Sequence, residues 1–233
     1  MARPLLLITG IAEGLGAEIA KTFAQAGHDV VGLSRSDRCS VAIRQSVEKH
    51  DGCCVHVACD VSSPGKVAAA LAPYAGRTSV LVHNASVLQI KPFEKTTSIE
   101  FEHIWRVTCL GAMLSAQAVL PHMAARKGGT IIFTGATAGL RGSANFSAFA
   151  SAKFALRGLA QSLAREFGPR GVHVAHLVLD GLIDGVQTDQ RFGKSTAGRM
   201  SPKAIAQACL DLSAQCSSAW THEMDLRPFS ERF

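Results

Sequence analysis

The sequence lacks any long apolar run. No stretch approaches the roughly 18 consecutive apolar residues typical of a membrane-spanning helix, and the first run, residues 5–9, is too short for the apolar region of a signal peptide. The 233 residues are 47% hydrophobic and 18% charged, as in globular domains. These features predict a cytoplasmic protein without membrane contact, built as a single domain over residues 1–233.

Patterns typical of disulfide, metal and nucleic-acid sites are also lacking. The seven cysteines include no Cys-x-x-Cys pair, and Cys53 and Cys54 are adjacent, so we expect reduced thiols. The nine histidines show no metal-ligand spacing, and no metal site is predicted. The formal charge is +6, but Arg126 and Lys127 form the only adjacent Lys/Arg pair. Nucleic-acid binding would need a basic stripe with exposed aromatic residues, so no such partner is predicted.

What the sequence does have is a regular alternation of short apolar runs and helical patterns. The runs predict strands at residues 5–9, 30–33, 53–59, 80–83, 130–134, 172–179 and 223–226. The helical patterns cover residues 17–25, 38–50, 66–74, 99–123, 149–167 and 202–213, the last with Ser201 as its N-cap. This order predicts an α/β fold, a three-layer doubly wound parallel sheet (Rossmann fold). The polar, Gly-containing segment 183–199 is predicted to be a mobile substrate loop.

Gly10, Gly14 and Gly16 lie between the first strand and the first helix. Glycines there allow a tight turn and let the backbone approach a pyrophosphate at the helix N-terminus, where free N–H groups favour anions. The spacing therefore predicts a dinucleotide site. An ordinary Gly-rich turn is the alternative.

Phe149 and Lys153 are four residues apart, which places them on one face of the predicted helix. Together with the glycine loop, Asp60-Val61, Asn84-Ala85-Ser86 and Asp180-Gly181, this arrangement resembles the short-chain dehydrogenase/reductase family over nearly the whole chain. The resemblance implies a nicotinamide cofactor and assigns it the following residues: Gly10, Glu13, Gly14, Leu15, Gly16, Ser34, Arg35, Asp60, Val61, Asn84, Ala85, Ser86, Lys153, Gly181 and Ile183.

The resemblance also locates four catalytic positions, and three of them differ from the family pattern. The tyrosine position is Phe149, the serine position is Ala136 and the asparagine position is Thr108, so that only Lys153 matches. The one tyrosine of the chain, Tyr74, belongs to an earlier helix and is expected to be remote from the site.

Two interpretations of Phe149 stay open. It is either a core aromatic residue or part of a remodelled apolar pocket, and Phe146 and Phe154 are expected to cluster with it. Thr137, next to the serine position, could supply a replacement hydroxyl.

The end of the second predicted strand carries the signal for cofactor choice. An acidic residue there would hold the adenosine ribose and repel a 2′-phosphate, but Ser34 and Arg35 stand at this point. Arginine pairs with phosphate, and Arg38 adds charge nearby, so NADP(H) is predicted as the preferred cofactor. Glu13 argues for NAD(H), which remains the alternative.

Three functional hypotheses follow from these observations. The first is an NADP(H)-preferring oxidoreductase with an altered proton relay, acting on a small-molecule substrate of unknown identity. The second is a catalytically silent nucleotide-binding protein, and the third is a structural dimer module without a ligand. The resemblance implies a homodimer or homotetramer formed through the two long helices, whose small residues permit close packing. These residues are Ala116, Ala118, Ala152 and Ala155.

Overall fold

The computed structural model describes residues 3–37, 40–194 and 198–230. Seven parallel strands form one sheet in the order β3-β2-β1-β4-β5-β6-β7. The strands are β1 Leu5–Thr9, β2 Asp29–Ser34, β3 Cys54–Ala58, β4 Thr78–His83, β5 Thr130–Thr134, β6 His173–Leu179 and β7 Glu223–Leu226. The predicted doubly wound parallel sheet is confirmed.

In the part of the chain that the structure describes, eight α-helices connect the strands. They are α1 Leu15–Gln25, α2 Ser40–Glu48, α3 Pro64–Leu71, α4 Ser98–Trp105, α5 Gly111–Ala125, α6 Ser147–Phe167, α7 Val186–Phe192 and α8 Pro202–Ser213. A π-helical turn, Arg106–Leu110, joins α4 to α5, so the single helix predicted over 99–123 is interrupted. The predicted helix 66–74 begins earlier, because Pro64 is suited to the first turn of a helix.

The predicted loop 183–199 is wrong in one respect, since it contains α7. Residues 195–197 of that loop lie outside the described residues, as do Arg38 and Cys39. Ser201 occupies the predicted N-cap of α8, but its side chain makes no capping hydrogen bond in the described structure.

Apolar side chains cover both faces of the sheet. Leu5 and Leu7 of β1 point into a core shared with α3, α5 and α6, whereas Leu6 and Ile8 point into a core shared with α1, α2 and α8. Strands buried on both faces explain why the runs show no polar alternation. The helical run from 98 to 125 is long and apolar enough to cross a membrane, but most of it is buried against the rest of the chain, as a core helix is. The six described cysteines are free thiols.

The chain reverses its direction of winding at β1. This strand pairs with β2 on one side and with β4 on the other. In open parallel sheets, ligands bind in the crevice beyond the carboxyl ends of the strands at such a switch point. The candidate site is therefore expected beyond Thr9 and His83, where β1 and β4 end.

Candidate active site

A cavity of about 910 Å³ opens at this edge of the sheet. It is lined by thirteen of the residues predicted to bind the cofactor: Gly10, Glu13, Gly14, Leu15, Gly16, Ser34, Arg35, Asp60, Val61, Asn84, Ala85, Ser86 and Ile183. Gly181 and Lys153 are not among the described lining residues, so their cofactor contacts remain predictions.

The glycine loop has a shape that side chains would obstruct. Gly10 has φ +78°, and a Cβ atom there would lie 2.7 Å from the backbone of Ala85. A Cβ atom on Gly16 would lie 2.6 Å from the carbonyl oxygen of Gly10. Gly14, with φ +96°, has open space within 4 Å of where its Cβ would be and immediately precedes α1. The loop and the positive end of the helix dipole therefore fit the pyrophosphate of a dinucleotide.

The far end of the cavity contains a polar cluster around Ser34. The Ser34 hydroxyl donates to the carbonyl oxygen of Ser36 at 2.7 Å and lies 2.8 Å from Nε2 of His56. Arg35 is exposed beside it. Asp60 lines the same cavity, and hydrogen bonds from Ser62 lower the pKa of its carboxyl group. His56 was missed by sequence reasoning, because only the pairing of β2 with β3 brings it to Ser34.

Asn84 connects the glycine loop to the next strand. Its side-chain amide donates to the carbonyl oxygen of Gly10 at 3.1 Å, and its backbone N–H donates to the carbonyl oxygen of Thr9 at 3.0 Å. The hydroxyl of Thr134 donates to the Asn84 side-chain oxygen at 3.4 Å. Asn84 therefore positions the loop as well as lining the cavity.

The Lys153 side chain extends from α6 to the end of β5. Its Nζ donates to the carbonyl oxygen of Thr134 at 2.7 Å and lies 5.7 Å from the centroid of the Phe149 ring. The side chain is only 3% exposed, and this burial lowers its pKa to about 8. Because burial disfavours the ammonium form, an anionic or hydroxyl-bearing ligand beside Lys153 would stabilise this charged form.

The surroundings of Phe149 are apolar. It packs in a small cluster with Ala138 and Ala150, against which Ala136, Leu88 and Phe146 are placed. The expected cluster of three phenylalanines is only partly correct.

Phe154 is 43% exposed. It lies five residues after Phe149 on the helix, which turns it to a different face.

Thr108 lies in the π turn, which packs against α6. Its hydroxyl is buried and has no hydrogen-bond partner among the described residues, and the same holds for Nε2 of His83. Nδ1 of His83 lies 2.7 Å from the hydroxyl of Thr9. Burial, together with the charge of Lys153, lowers the pKa of His83 to about 3, so the imidazole is neutral. Sequence reasoning missed His83, whose position at the end of a buried strand was the available signal.

The two other residues considered from the sequence as sources of a hydroxyl group, Tyr74 and Thr137, lie in different parts of the fold. Tyr74 precedes β4 and therefore lies at the opposite edge of the sheet, as predicted. Thr137 directly follows Ala136, and its hydroxyl donates to Oδ1 of Asp180 at 2.6 Å.

A second polar group anchors α6 to the sheet. Arg157, one turn after Lys153, donates to both oxygens of Glu223 at 2.7 and 2.6 Å. Glu223 also lies 2.9 Å from Nδ1 of the buried His176. Of the described residues, no group of three or more His, Cys, Asp or Glu side chains is placed to hold a metal ion.

Comparison with known proteins agrees with this geometry. The model of the short chain dehydrogenase family matches residues 4–194. The chain belongs to this family. This short-chain dehydrogenase is 30% identical over 219 residues to carbonyl reductase family member 4 of Danio rerio. The match covers 89% of this chain and 90% of that protein.

Solved structures of short-chain dehydrogenases have the same fold. A short-chain dehydrogenase from Rhodopseudomonas palustris is 34% identical with a TM-score of 0.84, and the match covers 98% of this chain and 100% of the other. A metagenomic short-chain oxidoreductase in complex with NADP is 28% identical with a TM-score of 0.83, covering 97% of both chains.

Proposed function

We propose that this short-chain dehydrogenase is an NADP(H)-preferring oxidoreductase with an altered proton-transfer site. The observation that carries the proposal is the glycine-lined cavity that ends at the sheet edge where Lys153 lies buried on Thr134. The nicotinamide cofactor would supply or accept the hydride. The chain's own residues would bind and orient it, with the glycine loop at the pyrophosphate and Lys153 at a ribose hydroxyl.

The altered part of the site is the source of the proton. Phe149 stands where the family resemblance places the acid/base tyrosine, and a phenyl ring has no proton to transfer. Loss of a positioned general acid typically costs about 10²- to 10⁴-fold in rate. Loss of an oxyanion donor, as at Ala136, costs about 10²- to 10³-fold. Groups that act together do not contribute independently, so these losses should not be multiplied.

Preference for NADP(H) is supported by the polar end of the cavity. Arg35 follows Ser34 there, and a guanidinium pairs well with a 2′-phosphate. The similar oxidoreductase solved with NADP gives further support. Glu13 lines the same cavity and keeps NAD(H) as the alternative.

Titration with NADPH and NADH, followed by turnover assays with a panel of secondary alcohols and carbonyl compounds, tests the proposal. We expect tighter binding of NADPH and slow turnover that Lys153→Ala abolishes. Failure to bind either nucleotide would refute it.

The double variant Phe149→Tyr with Ala136→Ser tests where the defect lies. If only the proton relay is missing, this variant should reduce carbonyl compounds faster than the wild type, by up to about 10²- to 10⁴-fold. Phe154→Tyr is the matched control, because it adds the same hydroxyl on the same helix at an exposed position.

A second function, a catalytically silent nucleotide-binding protein, is favoured by the side chains at positions 108, 136 and 149. It predicts micromolar nucleotide binding without turnover. Wild-type turnover that depends on Lys153 would contradict it.

A homodimer or homotetramer is proposed for the native assembly. Ala116 and Ala152, two of the small residues expected at the contact, are buried inside the chain and cannot form one. Exposed apolar side chains on α4 and α6, namely Ile99, Trp105 and Phe154, support the proposal instead. Light scattering coupled to size exclusion would measure the state, and a monomer would refute the proposal.

A further inference from the structure

A buried carboxylate lies behind the hydroxyl of Thr137. Asp180 immediately follows β6 and is only 1% exposed. Its Oδ1 accepts the Thr137 hydrogen bond at 2.6 Å. Its Oδ2 is buried and makes no hydrogen bond to any described residue. The charged group nearest to Oδ2 among the described residues is Arg227, at ion-pair distance.

Thr137 is the more accessible residue of this pair. In the segment from Thr130 to Gly139, only Ala136 and Thr137 are partly exposed, and the other residues are buried. Since Asp180 is only 1% exposed, solvent or a ligand can reach Thr137 but not the carboxylate. The two strand ends that carry the pair, β5 and β6, are neighbours in the sheet.

Two guanidinium groups lie around the same carboxylate. Arg141 is 3.6 Å from Oδ1 and Arg227 is 3.7 Å from Oδ2. Arg227 is also 3.0 Å from Asp225. These ion pairs hold Asp180 in place and leave the short hydrogen bond to Thr137 as its closest contact.

We infer that the Thr137 hydroxyl contacts the reacting oxygen of the substrate, and that Asp180 is a positioning residue that takes the proton through it. The inference rests on the proposed function. It assigns to Thr137, which adjoins Ala136, the contact with the reacting oxygen that the phenyl ring of Phe149 cannot make.

The step balances in the direction of alcohol oxidation. The alcohol O–H proton passes to Oγ1 of Thr137 while the Thr137 proton passes to Oδ1 of Asp180. The carbon–hydrogen bond breaks, its electron pair leaves as hydride to the oxidised nicotinamide, and a C=O bond forms. The protonated carboxyl then returns its proton to solvent. Reduction of a carbonyl compound is the reverse.

A purely structural hydrogen bond between two loops is the competing explanation, and the variants are chosen to separate the two. Thr137→Val removes the hydroxyl and keeps the shape, whereas Thr137→Ser keeps the hydroxyl. Asp180→Asn keeps the size of the side chain and removes the proton acceptor. NADPH binding and thermal melting of each variant report whether it folds.

The experiment measures NADP⁺-dependent oxidation of a panel of secondary alcohols, with infrared difference spectra of single turnovers. We expect kcat to fall by about 10²-fold or more in Thr137→Val and Asp180→Asn, with NADPH binding retained and Thr137→Ser close to wild type. The wild-type spectra should gain the carbonyl stretch of a protonated carboxyl group, which Asp180→Asn and Thr137→Val lack.

Three outcomes would overturn the inference. Turnover that is unchanged in Thr137→Val leaves the proposed function standing and refutes only the role of this pair. Turnover without the carboxyl signal in the wild type refutes the role of Asp180 as proton acceptor. Nucleotide binding with no wild-type turnover refutes both and favours the silent nucleotide-binding protein.

Discussion

The Nζ atom of Lys153 lies 2.7 Å from the carbonyl oxygen of Thr134, where β5 ends. This contact fixes a nearly buried ammonium group at the sheet edge that carries the cavity. The ring of Phe149 faces it at 5.7 Å. The site therefore holds a desolvated positive charge opposite an apolar surface.

Replacement of Lys153 by methionine should stabilise the protein without nucleotide. Burial lowers the Lys153 pKa from 10.5 to about 8, so the unfolded state binds this proton more tightly. Stability should rise with pH between about 8 and 10.5 in the wild type and lack this rise in the variant. At pH 7 we expect the free energy of unfolding of the variant, measured with urea, to be about 2 kcal/mol higher than that of the wild type. Equal pH profiles for the two proteins would contradict the prediction.

His83→Gln should reduce sensitivity to acid. The folded pKa of His83 is about 3 against 6.5 for an ordinary histidine, so the unfolded state binds more protons between those values. Stability is therefore lost as pH falls below 6.5, and this residue contributes about 2 kcal/mol of the loss at pH 5. Denaturant unfolding at pH 5 and 7.5 measures the difference. Glutamine retains a group for the hydrogen bond to Thr9. If the variant lost as much stability as the wild type between pH 7.5 and pH 5, groups other than His83 would cause the loss.

Gly10→Ala should destabilise the fold by more than about 2 kcal/mol. Its φ of +78° disfavours a side chain, and the new Cβ would lie 2.7 Å from the backbone of Ala85, which cannot move aside cheaply. Gly158→Ala is the matched control, because this position is exposed in the middle of α6 with nothing within 4 Å. There the same change should stabilise by about 0.5–1 kcal/mol. Thermal melting of both variants tests this prediction. A Gly10→Ala protein as stable as the wild type would contradict the loop geometry.

Arg35→Ala should shift cofactor choice. If the guanidinium pairs with the 2′-phosphate, NADPH affinity should fall by about ten- to hundredfold, since one charge-assisted contact contributes roughly 1.5–3 kcal/mol. NADH affinity should change little. Calorimetric titration with the two nucleotides measures the ratio, with Glu13→Gln as the control for the opposing charge that lines the same cavity. An unchanged ratio of the NADPH and NADH affinities would show that Arg35 has no role in cofactor recognition.

The sequence by itself determined the fold and the location of the cavity. Apolar runs without polar alternation indicate strands buried on both faces, and their alternation with helices leaves few topologies other than a doubly wound sheet. The order of residues also placed Phe149 and Lys153 on one helix face. These are local or periodic properties, which a single chain displays directly.

Only the tertiary structure decided which polar groups face one another. Ser34 meets His56 because β2 pairs with β3, and Thr137 meets Asp180 because β5 pairs with β6. The pKa values at Lys153 and His83 depend on how completely helices cover the sheet, which no local pattern measures.

The same limit explains the errors at the helices. Ala116 and Ala152 have the small side chains of a subunit contact, but the rotation of their helices turns them into the core. The π turn around Thr108 contains buried residues and is likewise set by packing, since short helical segments gain most of their stability from their neighbours. Packing does not explain α7, because none of its residues is buried.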